Sequence, residues 1–253
     1  MNYLDQITKP SADRPIIITI VGDAGMGKTT LGATFPNPIF IRTEDGTQSL
    51  AGNENVALMP IAKTSQDVFN QLEALAVNEH NFQTLIIDSI TQLHTIFESE
   101  IVAADPKAKS INQCLGGYGA GFGAISEMHR KFREWCGSLS EAKNMNIVFI
   151  AHADSETVEL PDSDPYTRYS IRLHKKSVQH YSDNVDAVGF IKLQTFTSGN
   201  GEKKRATSTG TRIMTCYPTA SHISKNRFGI SEDIILSIGV NPFNDYLPKK
   251  QGK

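Results

Sequence analysis

The chain has 253 residues, 39% hydrophobic and 21% charged, with no block of like charge, so a buried core is feasible and wholesale disorder is excluded. Its 25 lysines and arginines against 27 acidic residues leave a formal charge of −2, so any nucleic-acid contact must come from a local basic patch. Three scattered cysteines fit neither a disulfide framework nor a zinc site.

The longest apolar run, residues 16–21, reads as a strand buried on both faces and closed by Gly22. It is far shorter than the roughly 20 residues of a membrane helix, and the first residues lack the order of a signal peptide. A cytoplasmic protein without a membrane partner is expected. A helix opens near Gly27, Pro36 and Pro38 stop it, and 39–41 forms a second strand. Thr64 and Asp67 form a capping box ahead of Val68, Leu72 and Leu75. Residues 82–88 hold a further buried strand, and a helical stretch runs from it to about Ala104.

Residues 105–123 carry five glycines around Tyr118 and Phe122, which predicts a mobile loop. Ile125, Met128, Phe132, Trp135 and Leu139 then step by three and four, the spacing of an amphipathic helix. Residues 146–151 form another strand. Residues 185–197 and 205–217 read as a hairpin around the turn Gly199-Asn200-Gly201. Strands alternating with helices imply an α/β fold: a mainly parallel sheet flanked by helices, with an antiparallel hairpin at one edge. One domain is expected over 15–247, after an extension of residues 1–14 and before a frayed tail, 248–253.

Gly22-Asp23-Ala24-Gly25-Met26-Gly27-Lys28-Thr29 satisfies G-x-x-x-x-G-K-[ST], directly after a strand and opening a helix. Glycines let backbone N–H groups curl around phosphates where side chains would collide with them. The residues from Gly22 through Thr30 are therefore candidate ATP contacts, with Lys28 reaching the β- and γ-phosphates and Thr29 ligating Mg²⁺. Asp88, ending the strand Leu85-Ile86-Ile87, is the second residue on the metal side. Ser89 follows it, so the adjacent Asp-Glu pair that activates water in many helicase-like motors is missing. Glu44, just past the second strand, is the leading candidate base, and Asp45 the fallback. His152, at the end of the strand 146–151, is a candidate nucleotide sensor.

Four stretches in this order, residues 22–29, 40–45, 85–89 and 147–152, resemble the RecA/RadA-like recombinase ATPases, and Ile223-Ser224-Lys225-Asn226-Arg227 extends the match. Within that family the chain is similar to the small phage-encoded, core-only ATP-dependent single-strand annealing proteins. The resemblance implies a RecA-like P-loop NTPase core and a ring or filament with nucleotide between protomers. It also implies that Lys225 and Arg227 reach the γ-phosphate of a neighbour. Two DNA-binding loops would be 116–123, with Tyr118 and Phe122, and the segment after His152. Departures from the family are a short connection from Lys28 to Glu44, His152 in place of glutamine, and no room for separate DNA-binding domains. These weigh against strand exchange more than against annealing.

Arg168, Tyr169, Arg172, Lys175 and Lys176 interleave rings and cations, a mixture suited to single-stranded DNA. The expected function is thus a DNA-stimulated, Mg²⁺-dependent ATPase that oligomerises on single strands and promotes annealing or recombination. The alternatives are a nucleotide-switched assembly protein with negligible turnover and a small-molecule kinase on the same loop. No Asn-Lys-x-Asp guanine-reading motif occurs.

Overall fold

The β-branched run of the first strand becomes β1, Ile17–Gly22, the centre of the sheet. It is seen in a computed structural model that describes residues 4, 7, 13–198 and 205–248. After it come α1 (Lys28–Gly32), β2 (Pro38–Arg42), β3 (Ala57–Ile61), α2 (Ser65–Val77), β4 (Thr84–Asp88) and α3 (Ile90–Ala104). The second half adds α4 (Ala120–Lys143), β5 (Asn146–Val158), β6 (Tyr166–Ile171), α5 (Lys175–Ser182), β7 (Ala187–Ser198), β8 (Arg205–Thr215), β9 (Lys225–Asn226) and β10 (Ile234–Ile235).

The strands lie in the order β10-β8-β7-β1-β5-β4-β2-β3. All pairings from β7 across to β3 are parallel, whereas β8 and β10 add antiparallel strands at one edge. Alternate side chains of the strands feed two apolar layers. On one face Val21, Ile41, Leu85 and Phe149 pack with Leu72, Phe97, Phe132 and Tyr181 from α2 to α5. On the other, Ile18, Ile20, Phe40 and Ile150 pack with Leu31 and Phe35 and with Phe243 of the C-terminal segment. Among the described residues no helix is long and apolar enough to cross a membrane.

The expected mainly parallel sheet with its edge hairpin is the architecture found. Several local expectations change. The glycine-rich stretch is not a loop throughout: a 3-10 turn covers Ile111–Gly116, and α4 takes in Gly121, Phe122 and Gly123. Gly121 serves close approach, because a Cβ there would overlap the carbonyl oxygen of Ile111. The strand β3 carries no clear sequence signal because Pro60 interrupts it; as the edge strand it loses no ladder bond on its open side. The segment after His152, expected as a loop, continues β5 and folds back as β6 in an antiparallel pair. The turn 199–201 and all of the tail except Pro248 lie outside the described residues, as does most of the extension 1–14.

Candidate nucleotide-binding site

The end of β1 and the start of α1 are joined by five residues that turn the chain back over the sheet. Gly25 and Gly27 hold φ of 78° and 82°, where side chains are strained, and Gly22 lies so close to β7 that a Cβ would stand 2.9 Å from the Ile191 carbonyl oxygen. Thr30 faces a small crevice between α1 and residues 236–240.

Inside the loop Lys28 is buried, and its Nζ donates to the carbonyl oxygens of Gly22 and Asp23, both at 2.8 Å. Burial pushes the ammonium below its usual pKa, while the nearby carboxylates of Asp88, Asp23 and Glu44 oppose the shift. The Thr29 hydroxyl donates to Asp88 Oδ2 at 2.7 Å. Asp88 sits at the end of β4, separated from β1 by β5, and burial lifts its carboxyl above the ordinary aspartate value.

A buried carboxylate held by one hydroxyl fits a divalent cation that takes its remaining ligands from phosphate oxygens and water. Among the described residues no cluster of three or more His, Cys, Asp or Glu could hold a metal ion by itself.

Glu44 and His152 meet across the mouth of the site. Glu44 Oε1 lies 3.5 Å from His152 Nε2, and His152 Nδ1 lies 3.5 Å from Lys28 Nζ. An ammonium only donates, so Nδ1 accepts and Nε2 carries the proton that faces Glu44. That hydrogen bond is the main reason the Glu44 carboxyl lies below its ordinary value of 4.5; burial opposes it, and Ser89 and the Lys28 charge assist. The histidine backbone is fixed on both sides: its N–H donates to Thr91 Oγ1 at 3.0 Å and its carbonyl accepts from Arg172 N at 2.9 Å. Asp45 points away, 68% exposed and 4.0 Å from Arg42.

Two arginines stand at the site that no nucleotide-binding motif marks. Arg172, read as a DNA contact, stands close enough for its charge to act on Lys28. Arg212 reaches from β8 over the loop, donating to the Met26 carbonyl at 3.3 Å and filling the space above Gly27. No local motif marks Arg212; only the pairing of β8 with β7 brings it there.

Lys225 and Arg227 lie at the opposite ends of the parallel strands, where Lys225 pairs with Val188 and Ile18 with Ala187. Lys225 donates to the Asp183 carbonyl, and Arg227 shares Asp186 with Arg14. Neither reaches the loop of its own chain.

The basic and aromatic patch is divided by the β5–β6 hairpin. Arg168, bonded to Glu156 at 2.7 Å, lines one groove with Lys175 and Lys225. Tyr169 lines a separate cleft against Asp23 and Met26. Lys176 donates to the Gly119 carbonyl. Tyr118 is fully exposed, whereas Phe122 stacks on His174 with ring centres 3.9 Å apart. Phe122 is therefore held in packing and is not a free ring on a mobile loop.

A parallel sheet, a glycine-rich loop opening a helix and an aspartate at the end of a second strand define a P-loop NTPase domain. Residues 14–228 match the AAA domain family AAA_24, and the chain belongs to that family. A comparison with curated proteins gave no match.

Proposed function

We propose that the protein binds and hydrolyses ATP with Mg²⁺ and oligomerises on single-stranded DNA as a RecA-like protein that promotes annealing or recombination. The observation that carries the catalytic part is the row Lys28–His152–Glu44 facing the Thr29–Asp88 pair. A charge donor, a metal-side carboxylate and a base held ionised converge at the C-terminal edge of the sheet, where parallel folds bind nucleotide.

The loop 22–30 receives the triphosphate, and Lys28 exchanges the carbonyls of Gly22 and Asp23 for phosphate oxygens. Thr29 and Asp88 would hold Mg²⁺, which would supply positive charge to the bound phosphates. Glu44 orients the attacking water, and His152 holds Glu44 in place and ionised. Placement of Lys225 and Arg227 at the far edge supports their acting on a neighbour's nucleotide, with ATP joining protomers of a ring or filament.

A nucleotide-switched assembly with negligible turnover is the second reading. It is favoured by Ser89, which stands where an activating glutamate would follow Asp88 and whose hydroxyl instead accepts from Gln92 N to cap α3. The deciding experiment measures phosphate release with and without single-stranded DNA while particle size is followed. DNA-stimulated release with growth in size is expected; growth without release would replace the first reading with the second, and neither would overturn both.

A further inference from the structure

Beside the phosphate loop lies a cleft of about 310 Å³, unrelated to the glycine-rich segment. We propose that this cleft, between Asp23 and Met26 on one wall and Tyr169, Phe190, Lys192 and His222 on the other, binds an unstacked base and adjoining phosphate of a nucleic-acid single strand. The assignment rests on the single-strand reading above and names the site for it.

Three rings form a prebuilt platform. Phe190 lies parallel to the His222 imidazole, with ring centres 4.7 Å apart and planes within 3°. Tyr169 covers the other end of the stack, 5.4 Å from Phe190, and remains 48% exposed. Its backbone is fixed by bonds to both neighbours of His222, from Tyr169 N to the Ser221 carbonyl and from Ile223 N to the Tyr169 carbonyl. A ring held in this way stacks on a base with little further loss of freedom. A duplex hides its base faces, so the platform suits a single strand.

Lys192 supplies the charge. Its ammonium donates to His222 Nε2 at 3.1 Å, and it makes no ion pair among the described residues. The imidazole is accordingly the neutral partner, with its Nδ1 proton directed to Thr219 and Ser224 hydroxyls at 3.1 and 3.2 Å. A neutral, buried imidazole leaves the lysine charge uncancelled at the cleft wall. A phosphodiester is the complementary ligand, and Asp23 opposite offers an acceptor to a base N–H, such as N3–H of thymine.

The test is the fluorescence anisotropy of a labelled oligothymidylate titrated with the full chain at several salt concentrations. Tyr169→Ala is expected to weaken binding about tenfold or more, and Tyr169→Phe to retain it, because the ring and not the hydroxyl stacks. Lys192→Gln should lower the salt slope by roughly 0.7, the value of one phosphate contact on a single strand, and Lys192→Arg should restore it. Unchanged thermal midpoints establish that each variant is folded. If wild type binds and Tyr169→Ala and Lys192→Gln bind equally well, the cleft assignment falls while the single-strand reading stands. Absence of binding by wild type overturns both. Displacement of the oligonucleotide by thymidine monophosphate at comparable concentration overturns the assignment to a strand.

Discussion

The Thr29 hydroxyl donates to the Asp88 carboxylate across 2.7 Å, although the strands leading to the two residues are separated by β5. The bond spans the intervening strand at the C-terminal edge of the sheet and places a hydroxyl and a buried carboxylate on the same side of the phosphate loop. Removing either partner should therefore cost metal-dependent binding more than fold. Thr29→Val and Asp88→Asn are expected to reduce Mg²⁺-dependent ATP turnover by about a hundredfold, and Lys28→Ala by at least as much. Phosphate release measured across a magnesium titration checks this.

Glu44 and Asp45 are neighbours in sequence with different surroundings. Glu44→Gln should bind ATP but lower turnover by about a hundredfold or more, whereas Asp45→Asn should remain within about twofold of wild type. Single-turnover hydrolysis beside binding of a fluorescent ATP analogue separates the two effects.

The Glu44–His152 contact also predicts a pH dependence. The hydrogen bond from His152 lowers the Glu44 carboxyl below 4.5, so the ionised base is present throughout neutral pH and is lost only as pH falls through that lowered value. His152→Ala removes the largest lowering influence and leaves burial, which raises the carboxyl. The acid limb of the turnover profile should shift to higher pH in the variant. A limb that stays in place would show that another group governs it.

Two glycines of α4 should respond in opposite directions. A methyl on Gly121 would collide with the Ile111 backbone, which cannot swing aside as a side chain could, so Gly121→Ala should destabilise by about 1–3 kcal/mol. Gly123 has nothing within 4 Å of its Cβ position and lies in the first turn, so Gly123→Ala should stabilise by about 0.4–1 kcal/mol. Denaturant unfolding of both variants measures the difference.

If Lys225 and Arg227 act between protomers, defects in opposite halves of the site should complement. Arg227→Ala leaves Asp186 its second partner, Arg14, so the fold should survive. Mixing Arg227→Ala with Lys28→Ala is expected to restore ATP turnover that neither variant has alone, because some contacts then combine an intact loop with an intact arginine. A mixture no more active than its components would place Arg227 outside the site.

Much of the fold was legible because its determinants are local. The Thr64–Asp67 capping box is present with both reciprocal bonds, since it depends on residues three apart on one turn. The strands β1, β2 and β4 are buried on both faces and announce themselves as continuous apolar runs. β5 was legible only to Ala151, because the residues beyond Ala153 lie mostly at the surface and become a strand through pairing with β6. The glycine cluster is ambiguous in sequence because composition does not distinguish a glycine that permits motion from one that permits close contact, as at Gly121.

By itself the sequence determined the phosphate loop, the buried strands β1, β2 and β4, the helix α2 with its capping box, and the placing of Asp88 and Glu44 at or just past the ends of buried strands. Those features follow from backbone sterics and apolar spacing within a few residues. Only the tertiary structure decided that His152 stands between Lys28 and Glu44, that Arg212 covers Gly27, and that Tyr169 parts from Arg168 to face the loop. Each of these depends on which strands lie side by side and in what register. That is fixed by burying two faces of a sheet at once, a condition on the whole chain that no short stretch carries.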